Sequence, residues 1–308
     1  MNASRRADIR GPLTLALAGL LLFAAPAARA DGAEAPATAE EYFKLGNEYF
    51  GGKLTDKAVE AYEKCVQLQP DYKEAWYNLG IAYSKQRKYK KEIEAYQRAV
   101  AIDPRYEKAL YNLAIAYEDS SLLEDALKAY ERVEQVSPEA VDALVNQGIL
   151  RARLGQLDRA VEVYKRAIAL DGKHPDAWFN LGIAYARLAE RAGDDATRRG
   201  LLGQERDAYT KAVEIAPSYH KGWYNLAIAH NKLGELDQEI AAYEQALKVR
   251  SSYPQALFNL AYAYEEKGDN PKAIGVWQRY VEAAAKLPTE QEYVAIARQE
   301  LQRLQAPN

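Results

Sequence analysis

Cysteine is almost absent from this chain, one residue in 308. A single thiol excludes a disulfide framework and a thiolate metal cluster. Histidine is scarce as well: three residues are too few for a histidine-rich metal site. Neither sign of charge is in excess, with 41 Lys and Arg against 44 Asp and Glu and a formal net charge of −3. A generally basic nucleic-acid binder is thereby excluded, although a local basic stripe is not. A Gly-rich phosphate loop, H-E-x-x-H, C-x-x-C and a nucleophile elbow are all missing. Phenylalanine is rare too, five residues against 23 Tyr. What is present is 48% hydrophobic, enough for a packed core and too much for a disordered chain. At roughly 100–200 residues per domain the length allows one to three domains. The tyrosine bias asks for a repeated cause.

Residues 1–30 read as a secretory signal peptide. Arg5, Arg6 and Arg10 form a positive start, Leu13 to Ala25 an apolar run broken by Pro26, and Ala28-Arg29-Ala30 a cleavage site before Asp31. The run is too short and too interrupted for a comfortable transmembrane helix, and no stable membrane insertion is expected once the signal is cleaved; an uncleaved anchor is the alternative reading. Asp8 sits where a twin-arginine signal carries an apolar residue, which favours the general secretory route. No cysteine lies near the cleavage site to carry a lipid anchor. Cleavage after Ala30 removes four arginines and one aspartate and leaves a net charge of −6. The expected location is the periplasm or the cell exterior. Residues 31–38, rich in Ala, Pro, Gly and acid, read as a short disordered lead.

The remainder repeats itself. Ala75-Trp76-Tyr77-Asn78-Leu79-Gly80-Ile81-Ala82-Tyr83 returns as Ala177-Trp178-Phe179-Asn180-Leu181-Gly182-Ile183-Ala184-Tyr185, and again from Trp223 to His230. Leu110 to Tyr117 and Leu257 to Tyr264 are weaker copies. A second phrase follows each, as in Glu94-Ala95-Tyr96-Gln97-Arg98-Ala99-Val100. The period is 34 residues, and such a period is the mark of a repeat architecture. Within each unit, positions 4, 7, 8 and 11 have the i, i+3, i+4, i+7 spacing of one helix face. Positions 20, 24 and 27 do the same for a second helix. Small residues at position 8 (Gly46, Gly80, Ala114, Gly148, Gly182, Ala227, Ala261) let the two helices approach. Pro70, Pro104, Pro138 and Pro217 stop the second helix and separate units. One helix pair cannot bury its apolar face alone, but stacked neighbours make a continuous core.

This pattern resembles the tetratricopeptide repeat family, with a large apolar residue at position 4, Leu at 7, Gly or Ala at 8, Tyr at 11, Ala at 20, an aromatic at 24, Ala at 27 and Pro at 32. Seven repeats are framed over 39–287: 39–72, 73–106, 107–140, 141–174, 175–219, 220–253 and 254–287. The fifth is 45 residues long, an insertion of 11. The resemblance implies an all-α, right-handed superhelical α-solenoid of helix-turn-helix repeats. Residues 288–308 are expected to supply a capping helix and tail, with Thr289 and Glu292 as a capping box and Tyr293, Ile296, Ala297, Leu301 and Leu304 facing repeat seven. The insertion, around 189–204, is expected to lengthen both helices of its pair about equally, meeting at Gly193-Asp194-Asp195.

The resemblance also implies that the first helix of each repeat lines a concave surface, with positions 2, 5, 6, 9, 12 and 13 projecting into it. Position 5 carries Phe43, Tyr77, Tyr111, Val145, Phe179, Tyr224 and Phe258. Position 6 carries Lys44 and then Asn78, Asn112, Asn146, Asn180, Asn225 and Asn259. Position 9 carries Asn47, Ile81, Ile115, Ile149, Ile183, Ile228 and Tyr262. The amide row is similar to the asparagine ladder of sugar-transferase repeat arms and peroxisomal-signal receptors. Asn offers a donor and an acceptor to a peptide group without reading side chains, and the aromatic and Ile rows would remove apolar surface from water. Local packing and helix stability are the alternative reading of the same rows. The chaperone-tail-binding subgroup needs a cation where Phe43 stands, so binding of that type is not expected. Charges at positions 2 and 13 are mixed. Cys65 falls on a small packing position, and Trp76, Trp178, Trp223 and Trp277 on large ones.

No cofactor, metal, catalytic residue or nucleic-acid partner is expected. The reading is a non-enzymatic interaction scaffold or adaptor that binds a segment of a partner protein or peptide. Alternatives are a non-catalytic targeting subunit of a separate enzyme and a structural part of an envelope secretion, pilus or motility assembly.

Overall fold

Apolar residues at helical spacing, stopped by Gly, Pro or polar turns, produce helices wherever a repeat phrase occurs. The computed structural model describes residues 36–306. The expected signal peptide, its cleavage site and most of the lead lie outside the described residues. In chain order the helices are α1 (Ala39–Gly51), α2 (Thr55–Leu68), α3 (Lys73–Lys85), α4 (Tyr89–Ile102) and α5 (Glu107–Asp119). There follow α6 (Leu123–Val136), α7 (Val141–Arg153), α8 (Leu157–Leu170), α9 (Pro175–Ala189) and α10 (Asp195–Ile215). The series closes with α11 (His220–Leu233), α12 (Leu236–Val249), α13 (Pro254–Glu266), α14 (Asn270–Ala284) and α15 (Gln291–Gln305). No strand occurs among the described residues. The all-α repeat fold expected from the sequence is the one observed. Odd-numbered helices through α13 open the repeats and are called A helices; their even-numbered followers are B helices.

The chain divides into two units, one ending at Arg87 and carrying α1–α3, the other beginning at Lys88 and carrying α4–α15. In the first, α1 packs on α2 and α2 on α3. In the second, each helix from α4 to α15 packs on the next. The Tyr bias has its cause here. Tyr62, Tyr130, Tyr164, Tyr209 and Tyr243, all at position 24 of a B helix, are at most 2% exposed. Tyr62, Tyr164 and Tyr209 face the glycine at position 8 of their A helices, Gly46, Gly148 and Gly182. A Cβ added at Gly148 would lie 2.4 Å from the Tyr164 ring, and one at Gly182 would lie 2.6 Å from the Tyr209 ring. Position 8 is thus small because a buried ring lies flat against it.

The turn between the two helices of a repeat passes through the left-handed region at position 15 of the repeat. Glycine takes that place at Gly155, Gly234 and Gly268, with φ of 79°, 76° and 77°. Lys53, Arg87 and Ser121 take it elsewhere, at 60°, 57° and 61°. Three of the position-4 tryptophans are half-buried rather than fully enclosed, and each uses its ring N–H. Trp76, Trp178 and Trp223 donate to the carbonyls of Pro70, Gly172 and Pro217 at 2.8, 3.0 and 2.9 Å, tying the A helix to the end of the preceding repeat.

Three expectations are corrected. Position 20 is not always alanine: Glu92, Glu205 and Glu239 stand there and are 2%, 1% and 4% exposed. The insertion is unequal. α10 takes most of it, at 21 residues against 14 in α8, whereas α9 has 15 against 13 in α7. Asp194 stops the symmetric solution because its carboxylate accepts the Thr197 N–H at 2.8 Å and starts α10 there as an N-cap. The Thr289–Glu292 capping box does not form. Pro288–Glu290 is a 3-10 turn, and Glu290, drawn to the Tyr280 hydroxyl at 2.9 Å, precedes α15 without a side-chain cap. α15 buries Val294 and Ala297, with Leu301 and Leu304 against the same core, while Tyr293 stays 47% exposed. A capping box does form at Thr38 and Glu41, at the start of α1.

Candidate peptide-binding face

The face to be tested is carried by positions 5, 6 and 9 of the A helices. In the first unit, α3 places Tyr77, Asn78 and Ile81 half-buried. The Asn78 amide donates to Asn47 Oδ1 at 2.9 Å, and the Tyr62 hydroxyl donates to the same oxygen at 2.7 Å. The Oδ1 acceptor of Asn47 is therefore taken by its neighbours. Phe43 lies between the rings of Tyr62 and Tyr72, with centroids at 6.0 and 4.9 Å.

In the second unit, the A helices α5, α7, α9, α11 and α13 present the same three positions. Tyr111, Phe179, Tyr224 and Phe258 are half-buried, and Val145 is buried. Phe179 packs on Tyr209 and Tyr219 at 5.5 and 4.9 Å, Tyr224 on Tyr243 and Tyr253 at 5.8 and 5.1 Å. The tyrosine ending a repeat thus covers the aromatic row from one side. Burial pushes the Tyr111 hydroxyl up to about 12 and also raises Tyr224. These rings are largely occupied by intramolecular packing.

The amide row is half-buried throughout. Asn146 Nδ2 donates to the Tyr111 hydroxyl at 3.0 Å, and Asn259 Nδ2 to the Tyr243 hydroxyl at 3.0 Å. Asn180 and Asn225 donate to the carbonyls of Asp176 and Lys221 in their own helices, both at 2.8 Å. None of these four amides uses its Oδ1 acceptor in a bond among the described residues. Asn112, at the same position on α5, is also engaged by other groups. The row thus offers acceptors more than donors. Beside it, Ile115, Ile149, Ile183 and Ile228 are half-buried, each leaving apolar surface in water.

Three cations at position 13, all in the second unit, are engaged within the protein. Arg153 donates to Glu118 at 2.7 Å and Arg187 to the carbonyl of Ala152 at 2.8 Å. Lys232 donates to the buried Glu205 at 3.0 Å. Each tie runs back to the preceding repeat, so what the sequence shows as mixed charge is stapling between repeats. Burial raises the Glu205 carboxyl above its ordinary range, against the pull of Lys232. At the end of the row lies an aromatic corner, where Tyr293 faces repeat seven as the sequence leads one to expect. Phe258 meets Tyr262 at 5.2 Å and Tyr293 of α15 at 5.4 Å, and Tyr262 is 41% exposed. Only the packing of α15 brings Tyr293 there.

No group of His, Cys, Asp and Glu that could hold a metal ion occurs among the described residues. No described helix is long and apolar enough to cross a membrane. Cys65 is buried, and burial pushes its thiol up to about 11.

Helix pairs in series, three of them shown to pack a position-24 ring on a glycine at position 8, define an all-α repeat protein of the solenoid class. Sequence profiles described as TPR repeat match residues 148–188 and 229–268, and profiles described as tetratricopeptide repeat match 43–107, 208–241 and 255–286. The chain belongs to the tetratricopeptide repeat family. Solved structures agree on the fold. The C-terminal part of a TPR repeat-containing protein from Cytophaga hutchinsonii is similar at a TM-score of 0.65 and 14% identity, over 82% of this chain and 99% of that one. MamA is similar at 0.51 and 22%, over 61% and 95%. YrrB, described as a TPR protein with an unusual peptide-binding site, is similar at 0.52 and 18%, over 65% and 97%. At such identities the likeness shows the fold alone. Comparison with curated proteins gives no match.

Proposed function

We propose that this protein is a non-enzymatic scaffold or adaptor of the cell envelope whose A helices α5–α13 bind a segment of a partner protein. The observation that carries the reading is the aliphatic row Ile115, Ile149, Ile183 and Ile228. Each is half-buried at the same position of its helix, beside an asparagine row whose carbonyl oxygens are largely uncommitted. Covering those side chains contributes about 25 cal/mol per Å² of apolar surface. The Oδ1 atoms of Asn146, Asn180 and Asn225 can accept peptide N–H groups, so the ligand's backbone is held whatever its side chains are. The family is one of typically non-catalytic interaction scaffolds, and the description of YrrB as a peptide binder is consistent with this use.

The test is site-specific photo-crosslinking. A photoreactive residue at Ile149, Ile183 or Ile228 is expected to mark one short contiguous segment of one partner, and one at Glu214 on the B-helix side is expected to mark none. Labelling only from Glu214, or labels scattered over many proteins, would contradict the reading. The envelope location rests on the leader at residues 1–30. Terminal sequencing of the native protein is expected to begin at Asp31, and a retained Met1 in the cytoplasmic fraction would remove that part.

A further inference from the structure

Two grooves in the second unit occupy equivalent places between successive B helices and differ in a way that packing does not explain. One lies between α6 and α8, with a cavity of about 580 Å³; the other lies between α12 and α14, with a cavity of about 560 Å³. The first is lined by Glu131, Glu134, Arg151, Arg159, Glu162 and Arg166, three charges of each sign. They neutralise one another: Arg166 pairs with Glu134, and Arg151 pairs with Glu131 at 2.6 Å.

The second groove keeps two of the three cations, has Tyr264 where Arg151 stands, and loses two acids. Counting along the repeat, Arg159 and Arg166 correspond to Lys272 and Arg279, but Glu134 corresponds to Leu247 and Glu162 to Gly275. Lys248 replaces the neutral Gln135. Three cations therefore face one acid, Glu244, which already accepts the Tyr264 hydroxyl. Among the described residues Arg279 reaches only the Ser251 carbonyl, at 3.4 Å, and Lys248 has no ionic partner. Lys272 has Asp269 on its own helical turn at 3.3 Å. The floor is apolar: Leu247, Leu260 and Val276. Gly275 stands in the middle of α14, where glycine is unfavourable, yet a Cβ there would meet nothing within 4 Å. No close approach requires this glycine; its effect is to leave a hollow beside Arg279.

We propose that this hollow is a binding site for a linear alkyl carboxylate. The α6–α8 groove itself shows the chemistry, because there a carboxylate on an apolar stem, Glu134, meets the equivalent arginine. Between α12 and α14 that group is missing from the chain, and a ligand supplies it. The carboxylate pairs with Arg279, whose fork suits it, and with Lys248, while the alkyl chain lies over Leu247, Leu260 and Val276 in the space vacated at Gly275. The site is independent of the A-helix face.

Calorimetric titration of the full chain with sodium decanoate tests this. One equivalent is expected to bind, at least tenfold more tightly than decanol, which has the chain without the charge. Gly275→Leu, which fills the hollow, is expected to abolish binding. Leu247→Glu, which restores the acid of the other groove, is expected to weaken it at least tenfold. Circular dichroism and the melting temperature report whether each variant is folded, and either folded variant is sufficient. Absence of binding by the native chain, equal binding of decanol, or undiminished binding in a folded variant would overturn the proposal.

Discussion

At the scale of single residues, the repeat is an arrangement of one ring against one small neighbour. Tyr164 lies against Gly148 so closely that any side chain there must displace it. Gly148→Val is expected to destabilise the protein by about 1–3 kcal/mol, measured by urea unfolding. A variant as stable as the parent would show that the ring can move. This pairing was legible in the sequence because it recurs at fixed spacing. The glutamates at position 20 were not, since a charge on a buried face makes sense only once its partner is placed. For Glu205 that partner is Lys232, from the next repeat. Glu239 has a hydrogen bond from Asn231 at 3.0 Å and no cation paired with it among the described residues, and burial raises its carboxyl above the ordinary range. A raised carboxyl favours the folded state below its unfolded pKa, and that advantage disappears as pH rises through the folded value. Glu239→Gln, which keeps the Asn231 bond without a charge, is therefore expected to raise the melting temperature at pH 7. At pH 4, where Glu239 is already protonated, the gain vanishes. An equal gain at both values would contradict the assignment.

At the scale of elements, turns and caps decide where helices begin and end. Position 15, in the turn, adopts positive φ in six repeats, three of them without glycine. An L side chain there is strained, so Ser121→Gly is expected to stabilise by up to about 1 kcal/mol in thermal unfolding. A loss of stability would mean that the Ser121 side chain contributes more than its strain costs. Two threonines are each followed three residues later by glutamate, Thr38 with Glu41 and Thr289 with Glu292. Only the first pair forms a box, with the Thr38 and Ala37 N–H groups donating to Glu41 at 3.1 and 2.8 Å. The second fails because Pro288 opens a 3-10 turn and Tyr280 holds Glu290, a tertiary bond that local spacing does not reveal. The insertion likewise follows its cap at Asp194 rather than its length.

At the scale of the whole molecule, the two-helix period made the fold readable, whereas the binding face was readable only in part. The rows at positions 5, 6 and 9 are where the spacing places them, but their availability depends on neighbours. The rings of Phe179 and Tyr224 are covered by the tyrosines that end their repeats, and Arg153, Arg187 and Lys232 are tied to the preceding repeat. The isoleucines and the asparagine oxygens remain. The decisive measurement is the dissociation constant for the crosslinked partner segment, compared between the native chain and folded variants. Ile149→Gln with Ile183→Gln is expected to weaken binding at least tenfold, the equivalent of about 1.4 kcal/mol. Asn180→Ala with Asn225→Ala should weaken it further, and Gly275→Leu should leave it unchanged. An affinity indifferent to the isoleucine and asparagine variants would contradict the account.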